Sequence, residues 1–226
     1  MWWRESVHRY NTRRNYDSPQ TVTVLRQAWL EKIRPILVFN KLDRLITELK
    51  LTPLEGHAHL MKLLEQVNAV MGTFFAGDRM AEDFKWRETR EQTNSDTQNQ
   101  GDLEFEEKED ENIYFAPERG NVIFSSALDG WAFTIGAFAA MFEKRLGVKK
   151  ETLTKFLWGD YFLDPKTKRV LGVKHLKGRH LSPMFVEFIL NNIWAVYEST
   201  IIKKYFSFEN ITYLGIRKRS RRLSRR

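Results

Sequence analysis

A chain of 226 residues with 42% hydrophobic and 13% aromatic side chains can bury the core of one domain or one and a half, and is too apolar to be disordered throughout. Having no cysteine, it has no disulfide, zinc finger or cysteine nucleophile, which fits a reducing cytosol, and with no run of about 18 apolar residues it offers no membrane-spanning helix. Its formal net charge of +8 points to a polyanionic partner such as RNA, but the charge is uneven: seven of the eleven residues from Ile216 to Arg226 are Lys or Arg, while Asp102 to Glu111 holds seven acids and one lysine.

Residues 1–18 are Arg-rich, aromatic and aperiodic, and read as a loose leader. Met1-Trp2-Trp3-Arg4-Glu5 has no apolar run behind its charge, unlike a secretory signal. Ser18-Pro19 opens a helix to about Lys32, with Pro19 suited to the first turn and Val22, Leu25, Trp29 and Leu30 as its apolar stripe. After Pro35, the continuous run Ile36-Leu37-Val38-Phe39 predicts a strand covered on both faces.

Asn40-Lys41-Leu42-Asp43 stands at the end of that strand. A helix follows, broken near Pro53, and a second piece runs from Pro53 to about Met71 through Leu60, Leu63, Leu64, Val67 and Val70. Thr52 with Glu55 is an N-cap signal for it. From residue 77 to 112 the chain turns polar and then acidic, which predicts a solvated, disordered insertion.

Order resumes at Tyr114-Phe115 and in a strand from Asn121 to Phe124. Ser125 to Gly130 then turns into a helix expected from Trp131 to Leu146. A short helix from Thr152 to Trp158, a strand or hairpin from Gly159 and a last helix from Pro183 to Tyr205 complete the pattern, and residues 206–226 form a basic tail. No internal repeat is present. Alternating helices and strands predict an α/β fold, a parallel sheet with helices on both faces.

In such a sheet ligands bind at the carboxyl ends of the strands. Asn40-Lys41-Leu42-Asp43 ends one strand, and Ser126-Ala127-Leu128 ends the next. A carboxylate at Asp43 can accept two hydrogen bonds from guanine, one from the ring N–H and one from the exocyclic amine. Adenine has no such donor pair and would leave the carboxylate unpaired. Asn40 can bond the purine edge and brace the neighbouring loop, and the Lys41 stem can lie over the base with its ammonium in water. Small residues at Ser126 and Ala127 let the backbone approach, so that the Ala127 N–H reaches the guanine carbonyl. Taken alone, the four-residue motif could be a turn after a strand; its pairing with the Ser-Ala turn carries the reading.

Other candidates read as ordinary structure. His57 and His59 stand two apart on a helix and cannot share one metal ion. His8, His175 and His180 fit no catalytic or metal-binding pattern, and neither a catalytic residue nor a metal ligand is named. Trp131, Phe138 and Phe142 recur at helical spacing and are assigned to the core. The tail could bind RNA, serve as a nuclear address or be an unstructured end.

Longer strings resemble the ribosomal translocase GTPases, elongation factor two and its relatives: Pro19-Gln20-Thr21, Leu25-Arg26-Gln27-Ala28, Asn40-Lys41-Leu42-Asp43-Arg44, Gly130-Trp131-Ala132-Phe133-Thr134, and Leu157-Trp158-Gly159-Asp160-Tyr161-Phe162. Leu45 to Pro53, Phe124 to Trp131 and the acidic insertion look most like the elongation-factor-like GTPases of large-subunit maturation. The resemblance covers residues 19–205, divided as 19–76 and 113–205 around the insertion, and implies part of a P-loop GTPase-type sheet, the C-terminal half of a GTP-binding domain. It implies GTP or GDP as ligand with Mg2+ in the complete protein. It also implies the large ribosomal subunit and its maturation factors as partners, with no membrane, and release of an anti-association factor in the cytoplasm. Alternatives are a non-catalytic module docking to ribosomal RNA and a translocation GTPase akin to elongation factor two.

The departures are specific. No Gly-x-x-x-x-Gly-Lys-Ser/Thr phosphate loop occurs, and neither switch region precedes Pro19, so no group for the β- and γ-phosphates, the magnesium ion or the attacking water can be named. A truncated gene model, an alternative transcript or a degenerate copy is expected. Base contacts alone should give ~millimolar binding or none. The apolar strand 36–39 should expose an edge.

Overall fold

Two successive β–α–β units lay down the sheet. The computed structural model describes residues 6–11, 19–93 and 113–202, apart from 166, 168 and 177. Strand β1 (Ser6–Asn11) is followed by helix α1 (Pro19–Leu30) and strand β2 (Pro35–Asn40). From β2 the chain passes through a short helix α2 (Asp43–Thr47) and a long helix α3 (Pro53–Thr93) to strand β3 (Val122–Ser126). These three strands are parallel, with His8 opposite Leu37 and Phe39 opposite Phe124. Strand β4 (Trp131–Phe133) returns antiparallel beside β3, giving the order β1-β2-β3-β4.

Helices α4 (Ile135–Leu146) and α5 (Lys150–Leu157) follow, then a hairpin of β5 (Tyr161–Leu163) and β6 (Val170–Gly172). A π-helical turn, Val186–Leu190, runs directly into helix α6 (Asn191–Ile202).

Leu37, Val38 and Phe39 are consecutive and all buried. Neighbouring strand residues point to opposite faces, so both faces of β2 are covered, as its unbroken apolar run requires. Phe124 forms the hub of the core. Its ring lies 5.2–5.7 Å, centroid to centroid, from those of Phe39, Phe133, Trp158 and Phe185. Thr52 and Glu55 start α3 as a reciprocal cap: Glu55 Oε2 accepts from the Thr52 N–H at 2.8 Å, and Thr52 Oγ1 accepts from the Glu55 N–H at 3.3 Å. The bond to Thr52 holds the Glu55 carboxyl below its usual range.

Four expectations need correction. Residues 6–11 are not a loose leader but a strand, recruited by pairing along β2 although their own sequence shows no period. In consequence β2 is no edge; β1 and β3 flank it on both sides. The expected insertion begins later, because α3 continues to Thr93. Its last turns are polar but rich in good helix formers, and extending an existing helix avoids the cost of a new nucleus; Arg90 lies over the Trp86 ring at 5.1 Å. Residues 94–112 lie outside the described residues, as does the tail from 203.

The fourth correction concerns Trp131. The segment from Trp131 to Phe133 is a strand, and the helix opens only at Ile135. Gly130 takes φ +75° and its N–H closes on Ser126 O at 2.9 Å, reversing the chain so that Trp131 lies opposite Ser126. The sheet is therefore mixed. Burial alternates along it, with Trp131 and Phe133 in and Ala132 out, a period of two. Trp131, Phe138 and Phe142 nevertheless all belong to the core.

Candidate guanine-binding site

The parallel strands β2 and β3 end side by side, so the loops leaving them meet. The Leu42 N–H donates to Ser125 O at 3.2 Å, tying one loop to the other through backbone. Lys41 sits in the left-handed region with φ +69°, a conformation that costs a side-chain-bearing residue energy and persists where its surroundings enforce it.

Asn40 is the enforcing group. It is only 8% exposed, and its Oδ1 accepts from the Lys41 N–H at 2.8 Å and the Ala127 N–H at 3.0 Å. The Ser125 hydroxyl lies 3.3 Å from the same oxygen and 3.2 Å from Phe39 O, and its one proton serves one of them at a time. None of these bonds uses the Asn40 Nδ2 donors.

Asp43 opens α2 and is 5% exposed. Its Oδ1 accepts from the Ser126 hydroxyl at 2.9 Å. Its Oδ2 takes none of the hydrogen bonds found among the described residues. One carboxylate oxygen is thus held by the Ser126 hydroxyl, and the other takes no protein donor among the described residues. Lys41 is half-buried beside them.

Of the six residues expected from sequence, five meet here. Asn40, Lys41, Asp43, Ser126 and Ala127 are joined by the bonds above. Leu128 is 84% exposed and contributes no side-chain contact to the network. One detail differs from expectation: the Ala127 N–H, assigned to the guanine carbonyl, is engaged by Asn40 Oδ1, because the chain needs that bond to hold the two loops together.

Two partners were not expected. Asp129 Oδ2 lies 2.8 Å from the Ser126 hydroxyl, and the Asp129 N–H donates to Ser126 Oγ at 3.3 Å. Tyr197, on α6, donates its hydroxyl to Asp129 Oδ2 and accepts from the Trp131 indole N–H at 2.9 Å. Burial, and next the bond to Asp129, push the Tyr197 hydroxyl pKa upward, so it stays protonated. Adjacency to the Ser-Ala-Leu turn could have flagged Asp129; nothing local marks Tyr197.

No group of His, Cys, Asp and Glu able to hold a metal ion occurs among the described residues, and no described helix is long and apolar enough to cross a membrane. A cavity of about 630 Å³ lies at the opposite end of the sheet, bordered by Trp29, Pro35 and Asn121. It stands at the amino ends of β2 and β3, where α/β sheets seldom place their chemistry.

The chain matches the elongation factor Tu GTP binding domain over residues 15–193. It is 56% identical over 192 residues to Ribosome assembly protein 1 of Schizosaccharomyces pombe, covering 85% of this chain and 17% of that protein. With Ribosome assembly protein 1 of Saccharomyces cerevisiae the identity is 53% over 185 residues, covering 82% and 16%. With Elongation factor-like GTPase 1 of Homo sapiens it is 46% over 206 residues, covering 88% and 18%. The chain spans less than a fifth of the length of these curated relatives. With the family matched across most of its length and its paired loops at the strand ends, the chain belongs to the elongation factor Tu GTP-binding domain family, an α/β fold of the P-loop GTPase type.

Proposed function

We propose that this chain is the guanine-reading half of a GTP-binding factor that acts in assembly of the large ribosomal subunit. The observation that carries the reading is the state of Asp43, a buried carboxylate with Oδ1 on Ser126 and no bond to Oδ2 among the described residues. Guanine's ring N–H and exocyclic amine form the donor pair that such a carboxylate accepts, whereas adenine would bury it unpaired. Asn40 Nδ2 supplies donors for the acceptor edge of the purine, and the Lys41 stem supplies an apolar cover for its face. In the full-length protein, phosphates and Mg2+ would be held by residues outside this sequence, which contains no Gly-x-x-x-x-Gly-Lys-Ser/Thr.

The assembly role rests on the names that relatives at 46–56% identity carry. Maturation factors of the large subunit are the proposed partners, the cytoplasm the proposed compartment, and release of an anti-association factor the proposed step. A second reading, an RNA-docking module indifferent to nucleotide, draws on the net charge of +8. Titration with a fluorescent GDP analogue, competed by GTP and by ATP, separates the two. The guanine reading expects ~millimolar affinity with GTP the better competitor, and loss of that preference in Asp43→Ala. Equal competition by ATP in the unaltered chain would refute it.

A further inference from the structure

We infer that Tyr197 and Asp129 are positioning residues that decide which way the Ser126 hydroxyl points, and thereby keep Asp43 oriented for a guanine base. The inference rests on the guanine reading for its purpose but not for its geometry.

Ser126 is fully buried and owns one hydroxyl proton and two lone pairs. One lone pair faces the Asp129 N–H at 3.3 Å. The single proton has two carboxylate claimants at nearly equal range, Asp43 Oδ1 at 2.9 Å and Asp129 Oδ2 at 2.8 Å. A hydroxyl cannot donate to both, and the carboxylate left out faces an oxygen lone pair instead of a proton.

Tyr197 resolves the contest. Its hydroxyl proton goes to Asp129 Oδ2, and the Trp131 indole N–H, donating to the Tyr197 oxygen at 2.9 Å, leaves it no better direction. Asp129 is then supplied from α6, and the Ser126 proton is released to Asp43. Without the tyrosine hydroxyl, Asp129 Oδ2 loses the donor from α6 and competes with Asp43 for that proton. The last described helix is in this way coupled to the base-reading carboxylate through four side chains, Trp131, Tyr197, Asp129 and Ser126.

The test begins without nucleotide. The side-chain carboxyl carbons of Asp43 and Asp129 are assigned by NMR in the unaltered chain and in Ser126→Ala, Tyr197→Phe and the double variant Tyr197→Phe, Asp129→Asn. Tyr197→Phe is expected to move the Asp43 carbon in the same direction as Ser126→Ala does. The double variant is expected to restore it, because a neutral amide competes poorly for the proton. If Tyr197→Phe does not fold, Trp131→Phe carries the same expectation at smaller size. An Asp43 carbon that shifts in Ser126→Ala but stays put in Tyr197→Phe, or in its substitute, overturns the inference, as does a double variant that fails to restore it.

GDP and IDP titrations complete the test, since inosine lacks the exocyclic amine that reaches Asp43. Tyr197→Phe should lower the GDP-over-IDP preference by about 2- to 10-fold, the value of one ordinary hydrogen bond. A preference absent already in the unaltered chain overturns the guanine reading, and the carboxyl shifts then judge the relay by themselves. A preference present and unmoved by Tyr197→Phe overturns the relay's role in recognition.

Discussion

Asn40 illustrates how one side chain can carry two jobs. Its Oδ1 holds the Lys41 and Ala127 backbone donors in place, and its Nδ2 donors take no part in that bracing. Asn40→Ala should therefore destabilise the chain by about 1–2 kcal/mol, because two part-buried backbone N–H groups lose their acceptor and water replaces it only in part, at roughly 0.5–1.5 kcal/mol for each bond. Denaturant midpoints with an unchanged slope would measure this, and a loss under about 0.5 kcal/mol would mean the loops do not depend on it. His57 shows the opposite case, a polar group with no partner at Nε2, set between the rings of Trp158 at 5.3 Å and Phe185 at 5.4 Å. Burial lowers its pKa, against a smaller raising effect of Asp160. The unfolded chain thus takes up a proton first, so stability is full above the ordinary histidine pKa of 6.5 and falls as pH drops through it toward the folded value. Unfolding curves at pH 7.5 and 5.5 should differ more in the parent chain than in His57→Phe. Both residues were legible as types but not as environments: the pairing of Asn40 with Ala127, 87 positions on, is a fact of folding.

At the scale of elements, local chemistry and tertiary contact can point in opposite directions. Gly56 sits in the first turns of α3, where alanine is worth about 0.5–1 kcal/mol more than glycine. A Cβ there would stand 3.1 Å from the rim of the Trp194 indole, and that ring is anchored by its N–H on Leu51 O at 2.7 Å. Crowding of this kind costs about 1–3 kcal/mol, so Gly56→Ala is expected to lower stability by about 1 kcal/mol. Its thermal midpoint decides the matter: an increase would mean Trp194 yields freely. The capping residues Thr52 and Glu55 and the double burial of β2 were readable from spacing, but the stripe of α1 only in part: Leu25 is buried, whereas Leu30 is 66% exposed. The switch from turn to strand at Trp131 was missed because a three-residue strand shows too little alternation to outweigh a helical reading of the aromatics that follow.

For the whole molecule the decisive pairing is that of β1 with β2. Along a strand the backbone N–H groups alternate in direction, so proline at both Val7 and His8 must remove at least one that faces β2. This double substitution is expected to uncover the edge of an apolar strand and promote aggregation, seen as increased light scattering at a temperature where the parent stays clear. Unchanged scattering would mean that β2 does not depend on β1 for cover.

Sequence by itself settled what depends on neighbours in the chain: the helix at Pro19, the buried strand at Ile36, the two motifs at strand ends, the cap at Thr52. These follow from the periods of 3.6 and 2 and from short-range backbone bonding, which a string of residues carries openly. Tertiary structure alone decided that residues 6–11 become a strand and that Tyr197 lies on the network beside Asp43. Each of these depends on a partner or a packed support distant in the chain, and no local period encodes which distant group will be met.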